Sequence, residues 1–326
     1  MIQGQPRERV YGPVPSRRFG LSLGVDLVPH KVCCYDCVYC QVGRTTDTTV
    51  TRRDFYPLDT ILADIARALE ERPRPDVITL AGSGEPTLYR SLGGLVRRIR
   101  SSTSIPIVLL TGGGMLMDED VAADALTVDI LAPSLDAGTE EQFAAINCPC
   151  SSLRFASMVE GLSRVVSAFT GEVRLEVMLI PELNADEESI LRIASLTRSM
   201  PLAAIDLNTP VRPPHASGVG IVSATSLAKA RAAFGPLSRV IGNFSGVTAP
   251  SPSPASSLRT LVVETLARRP CTTRDLLASL ACESSVLRNV LDRLMAQGVV
   301  EERRSRDEVY FWAPGDPRPG RSTTRG

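Results

Sequence analysis

The sequence predicts an α/β fold, a partial (β/α)6 TIM-like barrel with a small C-terminal winged-helix domain, and three observations lead to it. Short apolar strand patterns alternate six times with helical ones, the rhythm of βαβ units whose strands pair in parallel through right-handed crossovers. Residues able to carry chemistry recur at the C-terminal ends of those strands, where barrels of this kind build their sites. A run of small, polar and Pro residues then separates this region from three helical patterns and two strand patterns. The chain has 326 residues, 43% hydrophobic and 22% charged, with a formal net charge of zero. That suits one large and one small globular domain, and gives no overall field toward nucleic acid or membrane.

Residues 1–20 read as an N-terminal arm. Tyr11-Gly-Pro-Val-Pro-Ser-Arg-Arg-Phe-Gly20 is too rich in Pro and Gly for a helix interior. Its Arg17 and Arg18 are candidates to meet an anion, the alternative being two solvated side chains. The barrel is assigned to residues 21–244. Leu23, Val25 and Leu27 mark a first buried strand, Leu21 to Pro29, that ends just before a cysteine-rich loop. Leu58, Ile61, Leu62, Ile65 and Leu69 share a helix face, and the strand Val77 to Ala81 runs into Gly82-Ser-Gly-Glu-Pro-Thr87. A helix over Leu92 to Ile99 leads to the strand Ile105 to Leu110, closed by Gly112-Gly-Gly114, and Val128 to Leu135 gives the next strand, ending at Ser134-Leu-Asp136. Glycines often merely turn a strand into a helix, and Asp136 has the alternative role of capping the helix that follows. One long helical stretch, Glu140 to about Phe169, is followed by the strand Val173 to Ile180, a helix from Asp186 to Arg198, and the strand Ala204 to Thr209, with Asn208 and Arg212 at its end.

Residues 245–257 have the composition of a linker, 258–313 read as the winged-helix-like domain, and 314–326 as a disordered tail. In the small domain Thr272 is the expected N-cap of a second helix, Ser284 or Ser285 that of a third, and Gly298 the stop before a two-stranded wing around Arg303 to Asp307. From residue 256 onward twelve Arg stand against nine Asp and Glu. That surplus is modest for a DNA reader, and the third helix carries only Arg288 and Arg293 with Asp292 between them. Protein contact or substrate presentation is therefore preferred, with DNA binding kept open.

Four of the eight cysteines, Cys33, Cys34, Cys37 and Cys40, fall within eight positions, which points to a metal rather than to disulfides. C-x3-C-x2-C over Cys33, Cys37 and Cys40 places three thiolates on one short loop, able to ligate three irons of a cubane cluster and leave the fourth iron open. An open position is where a substrate or cosubstrate binds a metal directly. Structural zinc fits less well, since it takes four ligands, usually as two separated pairs. Cys34 reads as a spectator, and Cys148, Cys150, Cys271 and Cys282 as a thin set for a second cluster. His215 reads as a loop histidine or a proton handler. No apolar run approaches the roughly 20 residues of a membrane span, and the N-terminus lacks the apolar core of a signal peptide, so the expected location is cytoplasmic.

With its aromatic Tyr39 before the last cysteine and its Gly82-Ser-Gly-Glu85 turn, the chain resembles the radical S-adenosylmethionine superfamily. Tyr-Gly-Pro-Val-Pro-Ser-Arg-Arg, Gly-Val-Asp-Leu-Val-Pro, Tyr-Asp-Cys-Val-Tyr-Cys-Gln, Ser-Leu-Asp-Ala and Asn-Thr-Pro-Val-Arg-Pro-Pro resemble the iron-sulfur oxidoreductases grouped with wyosine-base tRNA enzymes, over about residues 10–216. The resemblance implies a [4Fe-4S] cluster on Cys33, Cys37 and Cys40, and S-adenosyl-L-methionine cleaved to methionine and a 5′-deoxyadenosyl radical after one electron arrives from a donor such as flavodoxin or ferredoxin. It further implies that Gly82, Ser83, Gly84 and Glu85 receive the methionine end, that Ser134 and Asp136 reach the ribose, and that Tyr39 borders the adenine. Arg17, Arg18, Asn208 and Arg212 are the expected substrate contacts, the substrate being an RNA nucleoside or else a peptide or small molecule. An iron-sulfur redox sensor that binds DNA through the winged helix is the alternative of another class. Two features depart from the family: Cys34 stands where Asn is usual, and Gly112-Gly-Gly-Met-Leu116 replaces an Asn-Gly-Thr-like turn.

Overall fold

The computed structural model describes residues 9–241, 258–280, 282–305 and 308–314. The expected linker over 245–257 and nearly all of the expected tail lie outside the described residues. In chain order the first half runs β1 (Val10–Ser16), β2 (Gly20–Asp26), β3 (Val32–Cys33), β4 (Asp47–Thr48), α1 (Leu58–Glu71), β5 (Val77–Ala81), α2 (Leu92–Ser102), β6 (Ile107–Thr111), α3 (Glu119–Ala125) and β7 (Ile130–Pro133). It continues with α4 (Glu140–Asn147), α5 (Phe155–Ala168), β8 (Glu172–Met178), α6 (Glu187–Thr197), β9 (Ala204–Asn208), α7 (Ala224–Phe234) and β10 (Ser238–Val240).

Eight of these strands make one sheet in the order β1-β2-β5-β6-β7-β8-β9-β10. From β2 through β10 every neighbour pairs in parallel, which yields the open α/β barrel. Alternation decides which side chains go where. Leu23, Val25, Ile78, Leu80, Leu109, Leu131 and Leu175 point outward into a core shared with Ile61, Ile65, Leu95, Val96, Leu162 and Ile193 of the surrounding helices. The intervening positions, among them Ser22, Thr79 and Glu176, are left for the interior. Each fully buried Leu or Ile of that core is worth roughly 1.5–3 kcal/mol relative to exposure.

Three expectations are corrected. The N-terminal arm is not a loop throughout: Val10–Ser16 is a strand, antiparallel to β2, with a register break between Tyr11 and Val14. Pro13 and Pro15 cannot donate to a ladder, but an edge strand tolerates them. The single long helix from Glu140 is two helices, because Cys148 adopts a left-handed conformation (φ 43°) and Pro149 has no amide to continue the first one. Beyond the six strands expected, β10 adds a seventh parallel one after the short α7.

The remaining elements are α8 (Leu258–Arg268), α9 (Thr273–Leu280), α10 (Ser284–Ala296), β11 (Glu301–Ser305) and β12 (Glu308–Trp312), the last two an antiparallel pair. The Thr272 hydroxyl accepts from the Asp275 amide, as expected of an N-cap. Val262, Leu266, Leu276, Leu287, Leu291, Leu294 and Phe311 form a core of their own. Against the barrel, Arg212 pairs with Asp275 at 3.3 Å, the Tyr310 hydroxyl donates to the Val211 carbonyl at 3.0 Å, and the Arg268 guanidinium lies 3.9 Å from the centre of the Tyr11 ring. These helices thus touch both β1 and the segment after β9, on either side of the barrel's open seam. Among the described residues no helix is long and apolar enough to cross a membrane.

Candidate active site

The cysteine loop follows β2 and is fixed by backbone hydrogen bonds from two directions. On one side the Lys31 amide donates to the Ser83 carbonyl (2.6 Å) and the Glu85 amide to the Val32 carbonyl (3.1 Å), so the loop and the Gly82-Ser-Gly-Glu85 turn are stitched together across some fifty residues of sequence. A Cβ on Gly84 would come within 2.0 Å of that Val32 carbonyl, and one on Gly82 (φ 118°) within 1.3 Å of Asp26 Oδ1. Both positions therefore require glycine. Asp26 secures the turn by accepting from the Ser83 amide (2.9 Å) and hydroxyl (3.1 Å).

On the other side lies the break between α4 and α5. A helix end leaves unpaired carbonyls, and here the loop satisfies them: Val38 donates to Ile146 (2.9 Å) and Asp36 to Asn147 and Cys148 (3.1 Å each), while Cys150 returns an amide to the Cys34 carbonyl (2.9 Å). The Cys-Pro-Cys segment, read from the sequence as part of a thin set for a second cluster, clamps the cysteine loop. His215 closes a third side, its ring nitrogen 3.0 Å from the Cys37 carbonyl and its own amide donating to the Cys40 carbonyl.

Cys33, Cys37 and Cys40 are free and half-buried. Lys31 Nζ lies 3.2 Å from Cys40 Sγ, and Asn147 Nδ2 lies 3.6 Å from Cys37 Sγ. Burial opposes the Lys31 ammonium, yet charge on Cys40 and Cys33 outweighs it and raises its pKa. Burial, reinforced by Cys33 and Cys40, pushes the Cys37 thiol well up, so that this sulfur ionises when a cation stands beside it. Among the described residues no three His, Cys, Asp or Glu side chains converge on one point, as ligands of a single ion would. Thiolates that each take a different iron of a cubane need no such convergence. Three thiols on one clamped loop, with N–H donors behind two of them, fit a [4Fe-4S] cluster. Cys34 is fully buried in the barrel core, and Cys271 lies in the separate core of the small domain.

Glu85 is buried and accepts from the Thr87 amide and hydroxyl, the Thr111 hydroxyl and the Gly112 amide, at 2.7–3.1 Å. The triple glycine thus contributes a polar contact through its backbone, and it also makes room: a Cβ on Gly112 or Gly114 would meet the Tyr35 ring at 2.8 or 2.5 Å. Asp136 does not cap α4, whose cap is Thr139. Its carboxylate accepts from the Tyr39 hydroxyl (2.6 Å), the Asn147 amide (3.0 Å) and the Met178 amide (2.8 Å). Burial pushes its pKa up to about 6 against the pull of those three donors. Ser134 sits at the end of β7, bridged to Glu176.

The expected substrate residues also meet. Arg18 donates to Glu176 (2.5 Å), Asn208 to Glu176 (2.9 Å), and Arg17 to Asn208 (3.3 Å). Arg212 is buried and reaches Gln41 at 3.2 Å as well as Asp275. A cavity of about 300 Å³ opens beside these arginines and is lined by Gln41 and Val42, just past the last cysteine, and by Gly82 and Ser83 of the turn. Sequence reasoning missed Lys31, Thr111, Asn147 and Glu176. Thr111 carried a signal, a hydroxyl at a strand end before the glycines, whereas Lys31, Asn147 and Glu176 become neighbours only in the folded chain.

The family model described as the Radical SAM superfamily matches residues 27–194, more than half of the chain and all of the loop and turn just described. The chain belongs to the radical SAM superfamily. Membership implies a [4Fe-4S] cluster and S-adenosyl-L-methionine as the groups this site is built for. Its homologues include UPF0026 proteins: that of Methanocaldococcus jannaschii is 38% identical over 210 residues, 63% of this chain and 64% of its own, and that of Synechocystis is 34% identical over 206 residues, 63% and 76%. The chain spans only 30% of a Brachyspira hyodysenteriae protein named GTPase Obg, to which it is 38% identical over 205 residues. Among solved structures, a radical SAM methyltransferase from Sphaerobacter thermophilus shares the fold with a TM-score of 0.50 at 20% identity, over 67% of this chain and 66% of that one.

Proposed function

We propose that this radical SAM enzyme abstracts hydrogen from a substrate seated in the arginine-lined cavity, with an RNA nucleoside as the first class to test, in keeping with the resemblance to iron-sulfur oxidoreductases grouped with wyosine-base tRNA enzymes. The observation that carries the reading is the cavity itself, whose wall includes Gln41 and Val42 after the cysteine loop and Gly82 and Ser83 of the turn. A substrate there lies next to both halves of the radical-generating site.

When bound, the cluster and S-adenosylmethionine supply a 5′-deoxyadenosyl radical by one-electron cleavage of the sulfonium. Cys33, Cys37 and Cys40 would hold the cluster, and Lys31 sets an ammonium 3.2 Å from Cys40 Sγ. Glu85, fixed by Thr87, Thr111 and Gly112, sets a negative charge at the turn that receives the methionine amino group, while Gly82, Ser83 and Gly84 present backbone there. Tyr39, oriented by Asp136, would border the adenine, and Ser134 and Asp136 would reach the ribose. Arg17, Arg18 and Arg212 face the substrate, and Asn208 stands behind Arg17, accepting from its guanidinium. Keeping water from the interior once substrate is seated would protect a radical from side reactions. Flavodoxin or ferredoxin delivers the electron.

On this reading the three helices α8–α10 and the β11–β12 hairpin that follows them serve as a winged helix. Its α8 and α9 residues Leu261, Arg268 and Leu280 line the cavity, which favours substrate presentation over DNA reading. The test is to delete the gene, digest the RNA to nucleosides and compare masses. A nucleoside that loses its modification, and regains it when deletion-strain RNA is incubated with the reduced enzyme, is the expected result; unchanged RNA in both assays contradicts the RNA reading.

A further inference from the structure

We infer that the cavity is a phosphate-binding site built jointly by the barrel and the C-terminal domain, in which Arg17, Arg212 and Arg269 hold a phosphate group of the substrate. This rests on the reading that the cavity is the substrate side of the radical site.

The argument begins with charge. Six arginines line the cavity, Arg17, Arg18, Arg72, Arg212, Arg268 and Arg269, and among its lining residues the one carboxylate is Glu264. Three of these cations have acids at their backs: Arg18 meets Glu176, Arg212 meets Asp275, and Arg268 stands 4.0 Å from Asp26. Arg17 and Arg269 pair with no described carboxylate, and the side chain of Arg17 donates to an amide, Asn208. Burial and the nearby Arg212 pull the pKa of Arg17 down to about 10, and burial with Arg269 pulls that of Arg212 down. Arg17 and Arg269, crowded beside Arg212 in a partly buried space, are unfavourable neighbours unless an anion joins them. A phosphate carries up to about two negative charges and three acceptor oxygens, which matches several guanidinium forks better than a single carboxylate does.

The three residues come from three parts of the chain. Arg17 lies in the turn between β1 and β2, Arg212 follows β9, and Arg269 follows α8. The site is therefore incomplete without the C-terminal domain, whose contacts through Asp275, Tyr310 and Arg268 hold it across the open seam. The apolar side chains of Leu110, Leu261 and Leu280 and the paired hydroxyls of Ser22 and Thr79 (2.7 Å) complete the wall. A volume near 300 Å³ is at the small end for ligand pockets and suits a phosphate with the nucleoside or small carbon skeleton attached to it.

The test uses the full-length, cluster-reconstituted protein and anaerobic calorimetry with inorganic phosphate, uridine 5′-monophosphate, uridine and a short RNA oligonucleotide. Pyrimidine probes avoid competition for an adenine site. Phosphate and the monophosphate are expected to bind and uridine not to. Arg269→Gln and, separately, Arg17→Gln should each weaken that binding about tenfold to a hundredfold, with thermal midpoints and iron content confirming that both variants are folded and loaded. Arg288→Gln, an exposed change on α10, should leave it unaltered. Binding of the RNA but not of the monophosphate, with the same dependence on Arg269, supports the site and assigns the phosphate to a polynucleotide. Uridine binding as tightly as its monophosphate, or wild-type affinity in both arginine variants, overturns the inference. Enzyme that forms 5′-deoxyadenosine yet binds none of the phosphates also overturns it, while leaving the radical chemistry standing. Enzyme that binds phosphate but makes no deoxyadenosine does the reverse.

Discussion

The amide of Glu85 donates to the carbonyl of Val32 across 3.1 Å, joining the turn proposed to receive S-adenosylmethionine to the loop proposed to hold the cluster. Gly84 lies against the same carbonyl, leaving 2.0 Å for a Cβ. The clashing atom is backbone, so Gly84→Ala must move the turn or the loop, at a cost of about 1–3 kcal/mol in stability. The variant is expected to load iron as the wild type does and to lose S-adenosylmethionine binding in equilibrium dialysis. Unchanged binding would show that the turn is not the cosubstrate's seat.

Lys31 puts an ammonium 3.2 Å from Cys40 Sγ. A positive donor on a ligand sulfur favours the reduced, more negative cluster. A hydrogen bond to a charged group is worth roughly 1.5–3 kcal/mol, so Lys31→Met should shift the one-electron potential about 60–130 mV more negative. Redox titration followed by electron paramagnetic resonance reads this directly, and an unmoved potential contradicts it.

Asp136 titrates at about 6 in the folded chain, raised from an ordinary carboxyl value of 3.8 by burial. A carboxyl whose folded pKa is raised contributes stability below its unfolded pKa and loses it as pH climbs through the folded value. The penalty reaches about 3 kcal/mol by pH 7. In metal-free protein, Asp136→Asn should therefore gain on the wild type between pH 4 and 7 in urea unfolding. A difference between the two that does not change with pH refutes this.

Much of this site is legible in the sequence through the logic of strand ends. Cys33, Cys37, Cys40, the glycine-rich turn and Asp136 announce themselves by spacing or by position after an apolar strand, and each sits at the strand end expected of it. The two proline-bearing segments hid what they do. Pro13 and Pro15 argue against a strand in isolation, yet β1 holds an edge place because β2 supplies a partner. Cys148-Pro-Cys150 interrupts a helical pattern that Glu140 to Phe169 otherwise sustains, and its function, capping α4 with amides of the cysteine loop, depends on residues more than a hundred positions away. Lys31 and Asn147 carry no local pattern at all, since a lone polar residue reveals a sulfur partner only once the chain has closed around it. The small helix α7 escaped notice because its Ala-rich sequence leaves a faint apolar stripe, with Ala230 and Phe234 alone buried.

The most direct measurement is 5′-deoxyadenosine formation by anaerobically reconstituted protein given S-adenosylmethionine and dithionite. The wild type should produce the nucleoside together with methionine, and Cys37→Ala, which removes the proposed ligand beside Asn147, should produce none. Wild-type protein carrying a full cluster and yielding no 5′-deoxyadenosine would contradict the account at its centre.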